Sequence, residues 1–272
     1  MVAIAFCATV IIGGWRWSVF VHPFGKISYI KLVALYFVGY FFNNFLPSGV
    51  GGDVVRGYIA GKELENVPAG YSSIVAERVA GILATVFLSL ISLPFIEYKS
   101  QIVLASIVLN IGLWLGVLLF LLLPSEKVVK KLLFWLPFGI GEKLFDFVEM
   151  LRGYRKYPKT LFWGFILSVL YQGSIILVVV LIGFLAGVKL PIPVYFATVP
   201  LVWVISLIPV SLNAIGVRES SFAYFFKVFG ATESAGFLVS ILVFASSLVA
   251  GIFGGIIFAF WNSAEKKMPK QE

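Results

Sequence analysis

The sequence predicts an all-α polytopic membrane protein, a single transmembrane helical bundle that extends over residues 1–272. Of its 272 residues, 60% are apolar and only 12% are charged, with a mean hydropathy of +1.02. A soluble domain has about twice that charged fraction, roughly 25%. Apolar runs of about 18 residues or more recur along the chain, long enough to cross a bilayer as helices and too uniform for barrel strands.

The charge and the rare residue types exclude several function classes. The net charge of +8 does not indicate a nucleic-acid partner, because the basic residues flank apolar runs as they do in cytoplasmic loops that face anionic lipid. The single cysteine, Cys7, excludes an internal disulfide. The single histidine, His22, excludes a histidine metal cluster, and we expect neither a metal nor a cofactor.

The first apolar run, residues 2–20, lacks a preceding basic region and a following small-residue cleavage site. It is therefore predicted as a membrane helix rather than a signal peptide. Near its end we expect Arg16 and Trp17 to form an interfacial anchor. Further long apolar runs follow at residues 29–46, 67–95, 101–123, 160–186, 192–209 and 234–261.

The distribution of basic residues distinguishes two topologies. If all seven runs span the membrane, the lysines of the C-terminal tail lie opposite the basic segment 124–159. If the runs before Pro47 and Pro209 instead turn back as re-entrant hairpins, most lysines and arginines fall on one side. We prefer this second arrangement, in the cell membrane with segment 124–159 and the C-terminus cytoplasmic, although eighteen residues are long enough to span.

The two predicted hairpins enter from opposite faces of the membrane, which is typical of an inverted repeat with a site near the midplane. The first repeat covers about residues 22–123 with a hairpin at 29–62, and the second covers about 160–263 with a hairpin at 192–230. Between them, segment 124–159 predicts cytoplasmic interfacial helices, because its apolar residues recur at helical spacing among charged ones.

Two stretches of the chain share one pattern, NNFLPSGVGGDVVRGY at 43–58 and IPVSLNAIGVRESSF at 208–222. In each, an apolar helix ends at a proline, a flexible turn follows, and an arginine comes nine residues after the proline. The pairs are Pro47 with Arg56 and Pro209 with Arg218. The recurrence in matching hydrophobic contexts indicates an internal duplication.

These two turns predict anion sites. Glycines before a half-helix expose backbone N–H groups, and a helix N-terminus favours an anion. We expect Asp53 to cap the first half-helix and Asn213 the second, while a nearby arginine suits a phosphate. The predicted lipid-phosphate-binding residues are Arg56, Arg218, Arg78, Asn213, Gly51 and Gly52. A plain turn with a capped helix is the structural alternative.

Ionisable residues inside a bilayer are costly and therefore point to function. Glu77 and Arg78 lie about ten residues, or roughly 15 Å, into their run, near the middle of a core about 30 Å thick. Adjacent helical residues point about 100° apart. We therefore expect Glu77 to neutralise a hairpin arginine and Arg78 to meet Asp53 or a ligand. Asp53, Glu77 and Glu219 are the predicted charge-balancing or coupling residues; the alternative is an ion network that only fixes the hairpins.

The last apolar run carries Gly251 and Gly255 four residues apart. Small residues at this spacing let helices approach closely. We favour packing within the bundle, and a homodimer face is the alternative.

Enzymatic chemistry has little support in the sequence. There is no His-Glu-x-x-His motif and no histidine within the core for a Ser–His site. Two candidate carboxylates, Glu77 and Glu219, each stand directly beside an arginine. We expect a transporter rather than an enzyme.

Four stretches also resemble a known family. They are RW at 16–17, FFNNFLPSGVGGDVVRGYIAGK at 41–62, AERVAG at 76–81 and LIPVSLNAIGVRESSF at 207–222. In these stretches the sequence is similar to the lysylphosphatidylglycerol synthase transmembrane (flippase-like) family, and the resemblance extends over nearly the whole chain.

The resemblance implies a multi-pass, flippase-like lipid translocase acting on lipids with phosphate-bearing head groups. In the best-known members the domain is linked to translocation of an aminoacylated phosphatidylglycerol, and archaeal relatives are associated with polyprenyl-phosphate sugar pathways. These residues do not include the soluble aminoacyl-transferase domain of the synthases, so we expect no lysyl-lipid synthesis by this chain. The alternatives are an accessory membrane module that presents a lipid to a partner glycosyltransferase or synthase, and an intramembrane lipid-modifying enzyme.

Overall fold

The chain folds into a bundle of packed helices. The computed structural model describes residues 1–45, 51–96, 104, 107–108, 110–112, 114–116, 149–206, 211 and 214–265. None of these residues lies in a strand. We label its α-helices in chain order as α1 (Val2–Val21), α2 (Tyr29–Phe45), α3 (Gly51–Glu63), α4 (Val67–Ser92), α5 (Pro158–Leu185), α6 (Ile192–Ser206), α7 (Val217–Val228) and α8 (Glu233–Glu265). Short 3₁₀ turns lie at Leu93–Phe95, directly after α4, and at Gly153–Lys156, shortly before α5.

The helices follow the predicted apolar runs to within a few residues. Within the described residues, four are long and apolar enough to cross a membrane, at Val2–Val21, Val67–Phe95, Pro158–Leu185 and Glu233–Phe260. The predicted all-α membrane class is therefore confirmed. The predicted run 101–123 is described only in part, and most of the predicted interfacial segment, residues 124–148, lies outside the described residues.

A tight turn places α3 beside α4. Glu65 has a positive φ of 52°, and the Asn66 N–H donates to the Gly61 carbonyl at 2.8 Å, which ends α3 in a left-handed turn. The Asn66 side chain then caps α4 by accepting from the Ala69 N–H at 3.1 Å. A Cβ at Gly70 would overlap the Gly57 carbonyl oxygen. The two helices therefore run side by side at backbone contact, which brings the charged residues of α3 alongside those of α4.

Glycines also bring α2 close to its neighbours. A Cβ at Gly52 of α3 would overlap the Gly39 carbonyl oxygen. On the other side of α2, Gly254 of α8 packs on the Phe37 carbonyl, Gly251 on Asn44 and Gly255 on the Phe41 ring. The small residues of α8 therefore serve packing within the bundle, as favoured from the sequence.

The C-terminal part of α1 is buried in the bundle. Arg16 and Trp17 are 5% and 0% exposed, so the predicted interfacial anchor is wrong. The reason is that α1 packs against α2, α4 and α5, and the Trp17 indole donates to Ser73 Oγ at 3.0 Å. Tyr154 packs at the C-terminal end of α1 and is fully buried. Its hydroxyl donates to the Phe20 carbonyl at 2.6 Å.

Candidate functional site

Four helices each contribute side chains to one buried group of charges. Arg16 comes from α1, Tyr36 from α2, Asp53 and Arg56 from α3, and Glu77 and Arg78 from α4. We call these six residues the arginine cluster: Arg16, Tyr36, Asp53, Arg56, Glu77 and Arg78.

Glu77 lies at the centre of the arginine cluster and is fully buried. Its Oε1 accepts hydrogen bonds from Arg16 Nε at 3.0 Å and Nη2 at 2.5 Å, and from the Tyr36 hydroxyl at 2.6 Å. Its Oε2 lies 2.8 Å from Arg56 Nη2, an ion contact without hydrogen-bond geometry. Glu77 thus neutralises Arg56, as predicted, but it shares that role with Arg16.

Asp53 joins the other two arginines. Its Oδ1 accepts from Arg56 Nε at 2.9 Å, and Arg56 Nη2 lies at the same distance. Its Oδ2 accepts from Arg78 Nε. The predicted meeting of Arg78 with Asp53 is therefore confirmed, and one carboxylate bridges two guanidinium groups.

Aromatic rings enclose the two buried guanidinium groups. Arg56 Cζ lies 4.4 Å from the Tyr36 ring centroid and 4.9 Å from that of Trp17. Arg16 Cζ lies 4.2 Å from the Tyr171 ring centroid. Such cation–π contacts strengthen where water is excluded, so the rings hold positive charge inside the bundle.

The arginine cluster has more positive than negative groups. Among the described residues, three arginines face two carboxylates, an excess of one positive charge. Arg16 and Arg56 are each 5% exposed, whereas the Arg78 side chain is 37% exposed. The Nη1 atoms of Arg16 and Arg56 are buried and have no hydrogen-bond partner among the described residues. Two buried donors are thus left without acceptors, next to an arginine that reaches the surface.

The structure gives the first turn of α3 a different cap from the predicted one. The Gly52 N–H donates to Asn43 Oδ1 at 2.8 Å, so Asn43 at the end of α2 satisfies this first-turn donor. Asp53 turns instead toward the arginines. Gly51 and Gly52 are both buried, and Gly52 serves the close approach to Gly39.

A second, smaller group of polar side chains joins α7 to α8. We call Arg218, Glu219 and Ser240 the Arg218 cluster. Glu219 Oε1 accepts from Arg218 Nη2 at 2.6 Å and from Ser240 Oγ at 3.3 Å. Its Oε2 accepts from the N–H of Gly216 at 2.5 Å, where φ is 87°. Arg218 Cζ also lies 4.9 Å from the Phe244 ring centroid. The one arginine and the one carboxylate balance each other.

The two clusters are separate in the described structure. No hydrogen bond or ion pair described for either cluster joins Arg56 to Arg218 or to its neighbours. Asn213, Pro47 and Pro209 lie outside the described residues. The described residues also contain no group of three acidic, cysteine or histidine side chains placed to hold a metal ion.

Sequence reasoning missed two members of the arginine cluster, Arg16 and Tyr36. Arg16 stands inside an apolar run, and the rule that intramembrane charges point to function applies to it as it does to Arg78. Its neighbour Trp17 favoured an interfacial interpretation instead. Tyr36 carries no comparable signal, because tyrosine is common in apolar helices.

Comparison with known families identifies the chain. The model of the family described as "Lysylphosphatidylglycerol synthase TM region" matches residues 1–255. The chain belongs to this family. Comparisons with curated proteins and with solved structures found no match.

As a member of the lysylphosphatidylglycerol synthase TM family, the protein is a membrane protein involved in lipid handling. The matched region contains every residue of the arginine cluster and of the Arg218 cluster. Both buried charge groups are therefore part of the lipid-handling domain.

Proposed function

We propose that this member of the lysylphosphatidylglycerol synthase TM family is a lipid translocase. Its cargo is a lipid with a phosphate-bearing head group, such as an aminoacyl-phospholipid or a polyprenyl-phosphate-linked sugar, and it acts in the cell membrane without cofactor or catalysis. One observation carries the proposal: within the described residues, the arginine cluster has one more positive than negative charge, and Arg78 brings that excess to the surface. An anionic head group can neutralise this excess through charge-assisted hydrogen bonds to the guanidinium groups.

The binding step replaces a carboxylate by a phosphate. Asp53 presents one oxygen to Arg56 and the other to Arg78. A phosphate also offers paired oxygens to guanidinium groups in a planar, two-point geometry. Arg78 is the exposed member and therefore meets the lipid first. Asp53 compensates Arg56 and Arg78 when no lipid is bound.

The lengths of the helices support the re-entrant hairpins of the proposed mechanism. The helices α2, α3, α6 and α7 have 17, 13, 15 and 12 residues. At about 1.5 Å per residue these described lengths are about 18–26 Å, against a hydrocarbon core of about 30 Å, and α2 and α6 end where the described residues end. In both halves, two short helices precede a long one. This order fits two hairpins of opposite orientation in an inverted repeat.

Transport requires a second position for the head group. In the proposal this is the Arg218 cluster, where Glu219 compensates Arg218 until a phosphate arrives. In the proposal, the head group passes from one cluster to the other rather than binding both at once. Asn213 and the turns around Gly51 and Gly216 are the proposed hinges.

The test is transport in liposomes of purified protein, with labelled phosphatidylglycerol whose outer-leaflet fraction is read by a membrane-impermeant quencher. We expect wild-type protein to speed the exchange between leaflets and Arg56→Gln to abolish that gain. Lys227→Gln is the matched control. Lys227 pairs with Glu233 at the surface of the bundle, with its side chain 65% exposed.

Three outcomes contradict the proposal. Exchange no faster than in empty liposomes, with lipid still retained by the protein, favours an accessory module that presents lipid to a glycosyltransferase or a synthase. Chemical change of the lipid by purified protein favours an enzyme. Equal exchange by wild type and Arg56→Gln removes the arginine cluster from the transport step.

A further inference from the structure

Arg16 is the one arginine of the cluster that the sequence analysis does not assign to the lipid-phosphate site. We propose that Arg16 is a further residue of the lipid site and that its Nη1 donates to an oxygen of the lipid phosphate. This inference rests on the proposed function and adds to it that the net positive charge of the arginine cluster determines how tightly an anionic lipid binds. Arg16 shares Glu77 with Arg56, and together with Arg78 the three arginines exceed the two carboxylates of the described cluster by one positive charge.

The hydrogen bonding of Arg16 leaves one nitrogen free for a ligand. Its Nε and Nη2 both donate to Glu77, and Nη2 also donates to the Tyr36 hydroxyl at 2.9 Å. Its Nη1 is buried and has no hydrogen-bond partner among the described residues. A buried charged donor without an acceptor is strongly unfavourable, so this atom indicates that an acceptor is missing.

Gly81 of α4 packs closely against that nitrogen. A Cβ at Gly81 would lie 3.2 Å from Arg16 Nη1 and 3.3 Å from Gln172 Nε2. The Gln172 amide nitrogen also donates to the Gly81 carbonyl at 3.2 Å. Two nitrogen donors from α1 and α5 thus lie beside the Gly81 backbone, where any side chain at position 81 would contact them.

The geometry of α4 connects this position to the surface. Gly81 follows Arg78 by three residues and Glu77 by four, so it neighbours each of them on the surface of the helix. At 100° per residue, Gly81 lies between Glu77 and Arg78 in angle, about 4.5 Å farther along the axis than Arg78. A phosphate that meets the half-exposed Arg78 therefore needs about one helical turn of movement to reach Arg16 Nη1.

A variant that changes the net charge of the arginine cluster distinguishes a phosphate-binding role of Arg16 from a purely structural one. Glu77→Gln keeps a side-chain oxygen for Arg16 and Tyr36 but raises the net charge of the arginine cluster by one. If Arg16 serves the phosphate, this variant binds an anionic lipid more tightly. If Arg16 only balances Glu77, the variant loses an ion pair and binds no better.

The experiment titrates phosphatidylglycerol into wild-type protein and variants in neutral detergent, with bound lipid counted by native mass spectrometry and diacylglycerol as the uncharged control. We expect Arg16→Gln to weaken binding about tenfold and Glu77→Gln to tighten it about tenfold, the size of a charge-assisted contact. The double variant R16Q/E77Q should return to within about threefold of wild type, because it restores the net charge of the wild-type arginine cluster.

A second variant covers the case in which Glu77→Gln does not fold. Gly81→Ala keeps every charge and places a methyl group beside Arg16 Nη1, and we expect a loss of about tenfold. Unchanged binding by folded Gly81→Ala, or binding by folded Glu77→Gln no tighter than wild type, overturns the role of Arg16. If wild-type protein instead prefers phosphatidylglycerol no more than diacylglycerol, and Arg56→Gln changes nothing, the proposed function itself fails.

Discussion

Asp53 and Glu219 occupy the same position in the two short helices α3 and α7, the third residue of each. Each accepts hydrogen bonds from an arginine of its own helix, Arg56 and Arg218 respectively. A glycine stands seventeen residues after each acid, at the fourth position of the next helix. Because it has no side chain, the backbone of the short helix packs directly on the backbone of that next helix. These glycines are Gly70 and Gly236.

This correspondence supports the proposed internal duplication, with a different alignment from the one that the prolines suggest. The equal spacing of Pro47–Arg56 and Pro209–Arg218 aligns the two arginines. By helix position, however, Arg56 is the sixth residue of α3 and Arg218 the second of α7. In the proposed duplication, helix position therefore aligns Asp53 with Glu219 rather than Arg56 with Arg218.

The first prediction concerns stability. Glu77→Ala leaves Arg16 and Arg56 buried beside each other without their common carboxylate, and we expect a loss of about 3–5 kcal/mol. Thermal unfolding in detergent measures it. Glu233→Ala, which breaks the exposed pair with Lys227, should leave the transition unchanged. A similar transition for both variants would show that Glu77 has no structural role.

The second prediction separates binding from transport. Asp53→Asn removes the charge that compensates Arg56 and Arg78, so phosphatidylglycerol should bind about tenfold more tightly. Leaflet exchange should slow, because the carboxylate no longer helps to displace the lipid. Native mass spectrometry and the liposome assay read the two effects. Weaker binding by folded Asp53→Asn would contradict a charge-balancing role.

The third prediction concerns the Arg218 cluster. Arg218→Gln should slow leaflet exchange while leaving phosphatidylglycerol bound at the arginine cluster, because no described bond connects the two. The comparison with Lys227→Gln controls for the loss of one positive charge on the same helix. Equal loss of binding and transport in Arg218→Gln would instead indicate one shared site.

The fourth prediction tests the packing of α8 on α2. A Cβ at Gly254 would overlap the Phe37 carbonyl, so Gly254→Ala should lower the stability by about 1–3 kcal/mol through overpacking. In Gly173→Ala, the nearest atom to the new Cβ is Leu88 Cδ1 at 4.0 Å. That variant should be neutral or slightly stabilising, since alanine favours helix by up to about 1 kcal/mol. Thermal unfolding of the two variants compares them directly.

The membrane class and the helix bounds were predictable because long apolar runs report directly on the lipid environment. The pairs Glu77–Arg56 and Arg78–Asp53 were predictable because an intramembrane charge needs a partner of opposite sign, and few were available. The burial of Arg16 was not, because a run of apolar residues does not show which neighbours cover its end. The cap on α3 was not either, since Asn43 belongs to the preceding helix and reaches Gly52 only through the tertiary fold.

The contact of Gly52 with Gly39 limits which sequences can adopt this fold. Because the Gly39 carbonyl occupies the place of a Cβ at position 52, even the smallest side chain there forces α2 and α3 apart. A library randomised at position 52 and selected for folded protein should return glycine alone, whereas position 173 should accept several small residues. The close crossing of α2 and α3 thus depends on the absence of a side chain at position 52.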